Sequence, residues 1–171
     1  MKKTIIPLII VMIFGLAGCK TGDIDPGGVA NNDLSGHWYV HYDHSVYGPD
    51  PFGVGYTRLL TSTTADASAT EFIIDDELNF WWYRVKAKMD IPSMTFGSND
   101  TLVSYIPDYD IKVLVRNGQV FEDAVTTEAG VVTDSIYFEI WFEDLHTATG
   151  ITSDTLFVSG YRRTGFLEDE H

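Results

Sequence analysis

The chain has 171 residues, a formal net charge of −14 and one cysteine, Cys19. So acidic a balance repels nucleic acid and anionic surfaces, and nucleic-acid binding is excluded as a role. A single thiol excludes an intramolecular disulfide, and acids scattered among aromatic and β-branched residues exclude a disordered chain.

In chain order, Lys2 and Lys3 precede an apolar run from Ile5 to Leu16, followed by Leu16-Ala17-Gly18-Cys19. The run is short of the roughly 20 residues that span a bilayer. A charged start, an apolar middle and small residues before a cut site predict a signal peptide over residues 1–18. Leu16-Ala17-Gly18-Cys19 resembles a bacterial lipobox, which implies cleavage before Cys19 and its lipidation. Loss of Lys2 and Lys3 would make the remaining chain more acidic still. Lys20 stands after the cysteine where Asp would favour the inner membrane; by that resemblance the expected location is the cell envelope, lipid-anchored at the outer membrane. Residues 19–33, rich in Gly, Asp and Asn, are expected to be a tether, with a root-mean-square reach of roughly 20 Å. Residues 34–171 are expected to form one domain.

Period-two alternation runs through that domain. In "LSGHWYVHYD" one strand face carries His37, Tyr39, His41 and Asp43, and the other carries Trp38, Val40, Tyr42 and His44. The first set is expected to be half-exposed, with Trp38, Val40 and Tyr42 in the core. His37 and His41 would sit about 13 Å apart at ~3.3 Å per residue, and His44 points the other way, so no metal site is expected. "YTRLLTSTTA" and "TEFIID" read as further strands. In "WWYRVKAKM", Trp81, Tyr83 and Val85 alternate with Arg84 and Lys86. In "YDIKVLVRNGQVFED", Val113 and Val115 alternate with Lys112 and Arg116, and Asn117-Gly118 predicts a two-residue hairpin turn. That turn would pair Val115 with Val120 and Lys112 with Asp123. "SIYFEIWFED" carries Ile136, Phe138 and Ile140 on one face, and Leu156 and Val158 open a last strand. Many short antiparallel strands with tight turns predict an all-β barrel or sandwich of roughly eight to ten strands.

Gly36-His37-Trp38 at the start of the first strand, with Arg162-Arg163 at the end of the last, resembles the Gly-x-Trp motif of lipocalin-type barrels. The resemblance implies an antiparallel lipocalin-like β-barrel whose floor is closed by Trp38 under Arg162, a cation–π pair. The lipobox, the acidic tether, "DDELNFWWYRVKAKMD", "NGQV", "DSIYFEI" and "SGYRRTGFLEDE" together resemble a family of small exported lipoproteins described as lipid-binding putative hydrolases. This implies an apolar ligand inside the barrel. The expected ligand-lining residues are Trp81, Tyr83, Val85, Val113, Val115, Ile136, Phe138 and Ile140. The expected partners are a lipid or small apolar ligand and, through Cys19, a membrane; the alternatives are a hydrolase acting on a lipid or ester, and a non-enzymatic lipoprotein that binds an envelope protein. Loop 44–55, with Tyr47 and Phe52, would be a lid in the first case and a protein contact in the last.

No catalytic motif accompanies the fold. The Gly-x-Ser-x-Gly elbow of serine hydrolases is absent, as are the phosphate loop, the dinucleotide fingerprint and the EF-hand, so no cofactor is expected. His146 reads as an exposed loop residue near Glu143 and Asp144. The acidic runs, Asp75-Asp76-Glu77 among them, read as solvated turns. One acid stands apart: in the hairpin register Glu122 would face inward with Val113, Val115 and Val120, unless a bulge turned it out.

Overall fold

The computed structural model describes residues 28, 31–152 and 154–171. The expected signal peptide, Cys19 and most of the expected tether lie outside the described residues. From a short 3-10 turn at Asn32–Leu34 the chain enters β1 (Gly36–His44), β2 (Thr57–Thr63), β3 (Glu71–Asp75), β4 (Arg84–Asp90) and β5 (Thr95–Phe96). It continues through β6 (Leu102–Val103), β7 (Lys112–Thr126), β8 (Val132–Phe142), helix α1 (Leu145–Thr149) and β9 (Leu156–Arg162), and a 3-10 turn covers Leu167–Asp169.

Every strand pairs antiparallel with its neighbours, in the order β5-β4-β3-β2-β1-β9-β8-β7. A further β5–β7 pairing closes the ring, so eight strands form an up-and-down barrel and β6 is an added strand on β7. Closure leaves no free edge along the ring. The β4–β7 seam is laced by short pieces: Phe96 lies opposite Gly118, Gly97 N–H donates to the Lys88 carbonyl at 2.8 Å, and Tyr105 N–H to the Arg84 carbonyl at 2.8 Å.

Because consecutive strands alternate direction, the connections segregate to two ends. Loops 44–56, 76–83, 97–111 and 143–155 form one end, here called the mouth. The starts of β1 and β8, the end of β9 and the shorter turns form the other, the floor. Between them the alternating apolar positions point inward: Val85, Ala87 and Met89 from β4, Val113 and Val115 from β7, and Ile136, Phe138, Ile140 and Phe142 from β8 join one buried core. Burying these branched and aromatic side chains stabilises the fold by about 1.5–3 kcal/mol each.

Two expectations fail here, and one open alternative is decided. Asn117-Gly118 is not a hairpin turn. β7 runs straight through it, with a one-residue bulge between Arg116, opposite Glu139, and Gln119, opposite Tyr137. Asn117 takes φ 52°, the backbone that a bulge and a tight turn both require, so the dipeptide alone does not distinguish them. Tertiary packing decides: a Cβ on Gly118 would lie 2.3 Å from the Phe96 ring, which crosses there as β5 closes the barrel. Val115 accordingly faces Ile140, and Lys112 faces Val103 and Phe142's neighbour Glu143 rather than Asp123. A second irregularity between Phe121 and Val125 turns Glu122 out to solvent, which decides its two readings for the bulge. Tyr39, expected on a half-exposed face, is only 2% exposed, because residues 163–171 fold back across it. Its hydroxyl donates to Glu170 at 2.6 Å and its ring meets the edge of His171 at 5.0 Å.

Candidate functional site at the barrel mouth

The mouth is organised by one carboxylate. β3 ends at Asp75, whose side chain pairs with Arg84 at 2.7 Å, and the chain then turns around the buried Asp76. Asp76 Oδ1 accepts the backbone N–H groups of Leu78 and Tyr83 at 3.0 and 3.1 Å. Oδ2 accepts those of Phe80, Trp81 and Trp82 at 3.1, 2.8 and 2.8 Å. Burial pushes this carboxyl above the usual range, and the surrounding N–H groups oppose that push. The loop needs such a hub, since Glu77, Leu78 and Trp82 all take positive φ, which costs side chains conformational energy. Asp75 and Asp76 are therefore buried structural acids, not the solvated turn expected from the acidic run.

Held this way, the loop lays its aromatic rings over the barrel end. Phe80 stacks on Tyr42 with centroids 3.8 Å apart, and Trp81 stacks on Phe142 at 5.4 Å. Phe52, from loop 44–56, sets its edge against both at 5.6 Å. Beneath them the Tyr42 and Tyr83 hydroxyls hydrogen-bond to each other at 3.2 Å, and burial raises the pKa of both. From the β8–β9 connection Asp144 accepts the Trp81 indole N–H at 2.8 Å and the Tyr109 hydroxyl at 2.5 Å. That brings the loop after β6 alongside. Burial and the Asp144 charge raise the Tyr109 pKa, keeping the hydroxyl a donor.

The result is an open, largely apolar groove of about 760 Å³, lined by Leu78, Phe80, Trp81, Trp82 and residues 106–109. Its size falls in the usual range for small-molecule sites. Leu78 and Trp82 are each 54% exposed and adjoin the other apolar residues of the groove in one patch. A second hollow of about 470 Å³ lies at the β5–β7 seam, lined by polar groups such as Ser98, Asn99, Arg116 and Gln119.

The residues expected to line a ligand site divide. Trp81 lines the groove, whereas Tyr83, Val85, Val113, Val115, Ile136, Phe138 and Ile140 are at most 1% exposed and pack together below it. Trp38 and Arg162 lie at the floor, the guanidinium carbon 4.5 Å from the indole centroid. Trp38 Nε1–H donates to Thr61 Oγ1 at 2.8 Å, and Arg162 donates to the Ser35 and Asp33 carbonyls and, at 3.0 Å, to Asp134. Gly36 leaves it room, since a Cβ there would come within 2.5 Å of Arg162 Nη1 and displace the guanidinium. Phe52 covers the mouth, while Tyr47 is 54% exposed and donates its hydroxyl to the Thr149 carbonyl at 2.8 Å.

The histidines do not converge. Among the described residues no group of three His, Cys, Asp or Glu side chains is placed to hold a metal ion. His37 is exposed, and His41 lies between Asp43 and Ser159, each at 3.1 Å. His44 is buried against Asp154 through Nε2, and its Nδ1 accepts the N–H groups of Val46 and Tyr47 at 3.0 and 2.9 Å. Two N–H donors on Nδ1 place the ring proton on Nε2, and both nitrogens are engaged in holding the loop. His146 sits on α1 rather than in a loop, exposed, with Nδ1 3.0 Å from the Glu143 carbonyl oxygen.

Sequence reasoning missed Asp76, Asp144, Tyr109 and the 106–107 pair. Asp76 had a usable signal, an Asp directly before a short run of aromatics that must turn tightly. The others had none, since nothing in "SYIPDYD" tells which loop it will face.

An up-and-down antiparallel barrel with a sealed floor and an aromatic, apolar mouth is the architecture of a small-ligand-binding barrel. The chain belongs to the family described as "Lipid-binding putative hydrolase", whose sequence model matches residues 23–167. No curated protein matches the chain.

Proposed function

We propose that this protein is a lipid-anchored envelope protein that binds a lipid or other small apolar ligand at the mouth of its barrel. The observation that carries the reading is the groove itself, with Trp82 and Leu78 exposed over a layer of stacked aromatics. Membership of a lipid-binding family supports the ligand class. An acyl chain laid along Leu78, Trp81 and Trp82 would gain about 0.8 kcal/mol per buried CH₂. Phe80 and Trp81 form the bottom of the site, and the side chains of Val113, Ile136 and their neighbours support that bottom from below. The lipobox supports anchoring through Cys19, and Lys20 supports the outer membrane. β1 starts at the floor, the end opposite the mouth.

The test is native mass spectrometry of residues 20–171, which lack the anchor, purified without detergent, followed by extraction of any bound small molecule and by titration with an apolar fluorophore and competing lipids. A stoichiometric lipid, or saturable binding displaced by lipids and weakened by Trp82→Ala, is the expected result. Empty protein that also fails to take up fluorophore would overturn the reading and point to an envelope protein as the partner of the mouth. Incorporation of labelled palmitate, abolished by Cys19→Ser, tests the anchor separately.

A further inference from the structure

The mouth has a chemistry of its own that narrows the ligand further, provided the groove is the binding site. The four mouth loops together contain nine Asp or Glu residues and not one Lys or Arg. The cations nearest the site belong to strands and are already matched: Arg84 to Asp75 at 2.7 Å, Lys112 to Glu143 at 3.1 Å and Arg58 to Glu77 at 3.6 Å. Three carboxylates at the groove have no such partner among the described residues. Asp76 lies buried beneath the loop, Asp144 is held only by the Trp81 indole and the Tyr109 hydroxyl, and Asp108 lines the groove directly. Trp81, Trp82 and Tyr109 line the same space.

Aromatic faces beside unmatched carboxylates select positive charge. A cation gains from the ring quadrupoles and from the acids together, most of all a quaternary ammonium, which sheds little hydration. An anionic head group meets the opposite: no Lys or Arg in any mouth loop, and a negative field focused by apolar walls. We propose that the groove takes an amphiphile with an ammonium-bearing head group, its alkyl chain over Leu78 and Trp82 and its head between Asp108 and the Trp81–Tyr109–Asp144 cluster.

The experiment titrates the full chain with decyltrimethylammonium, decanol and decyl sulfate, three probes with one alkyl length, below their micelle concentrations. Binding is read from tryptophan emission, with near-ultraviolet circular dichroism confirming that the barrel persists. The expected order is ammonium, then alcohol, then sulfate. The first and last should differ by about tenfold at low salt, and the gap should narrow at about 0.5 M salt, as screening requires. Asp108→Asn should shrink the ammonium-over-decanol preference severalfold. Asp108 has φ 62°, which Asn tolerates well, and its side chain makes no hydrogen bond or ion pair among the described residues. Sulfate binding as tightly as ammonium, or a preference untouched by both salt and Asp108→Asn, would overturn the ammonium assignment while decanol binding kept the groove. Silence from all three probes would overturn the groove reading as well.

Discussion

The floor and the mouth of this barrel are built on opposite plans. At the floor, Arg162 crosses the Trp38 ring and its donors are satisfied by two carbonyls and Asp134, over a glycine that leaves it room. At the mouth, the ordering group is an anion, Asp76, and it satisfies backbone donors of a loop whose side chains then remain open to solvent. A side-chain cation closes one end completely, and a buried carboxylate holds the other end ajar. Two ends of one sheet can thus be separately specified, one for stability and one for exposure of apolar surface.

Asp76→Ala should break this contrast most severely. It removes the acceptor for five buried or half-buried N–H groups in a loop that already has three residues at positive φ. Losing a buried, hydrogen-bonded charge of this kind costs on the order of 3–5 kcal/mol. Urea unfolding should show the loss, and Asp76→Asn, which keeps one acceptor oxygen, should lose less. A loss below about 1 kcal/mol would mean that the aromatic stacking, not the carboxylate, holds the mouth.

Arg162→Met should damage the floor by about 2 kcal/mol, from the cation–π contact and the orphaned carbonyls of residues 33 and 35. The mouth should be indifferent to it: probe affinity at the groove should stay within a factor of two. Gly36→Ala is costly only while Arg162 is present, so a double-mutant cycle should give coupling between the two. Additive effects would show that Gly36 serves some other purpose. Trp82→Ala is the converse experiment. At 54% exposure it should change stability by no more than about 0.5 kcal/mol and still weaken probe binding severalfold. A stability loss as large as that of Arg162→Met would make Trp82 part of the fold and remove the distinction.

How much of this was legible follows the same division. The interior and the floor obey local rules. Period-two alternation placed Val113, Val115, Ile136, Phe138 and Ile140 on one face, and all are in the buried core. Gly36-x-Trp38 and Arg162 stand at opposite ends of the sequence, yet β1 and β9 are adjacent in register, with Trp38 opposite Arg162. The mouth obeys no such rule. Its loops meet because the barrel closes, and closure depends on a two-residue strand, β5, and on a bulge at Asn117-Gly118 that reads in sequence as a turn. A buried acid such as Asp76 is hidden for a related reason: an acidic run implies water until the neighbouring backbone is known to point its N–H groups inward.

The smallest expected effect lies just above the floor, where residues 163–171 strap the outer wall. Glu170 is the buckle: it accepts from Arg163 at 2.7 and 2.6 Å and from the Tyr39 hydroxyl at 2.6 Å. The hydrogen bonds from Arg163, then that from Tyr39, hold its carboxyl below the usual value near 4.5. A carboxyl whose folded pKa is depressed lends stability that is fully present above its unfolded pKa and is lost as pH falls through the folded value. The strap should therefore stay closed at neutral pH and loosen only on acidification below about 4.5, before the barrel itself unfolds. It would then expose Tyr39 and release the stack of His171 on Tyr56, whose rings lie 4.4 Å apart. Amide hydrogen exchange at residues 166–171, followed from pH 6 downward and corrected for intrinsic rates, reads this directly. Glu170→Gln should show the loosened pattern already at pH 6. If the exchange of wild type and Glu170→Gln is the same at pH 6, the strap is held by the tyrosine–histidine rings and by Asp169, which accepts the Ala129 N–H at 2.9 Å and the Thr164 hydroxyl at 2.5 Å, rather than by its terminal ion pair.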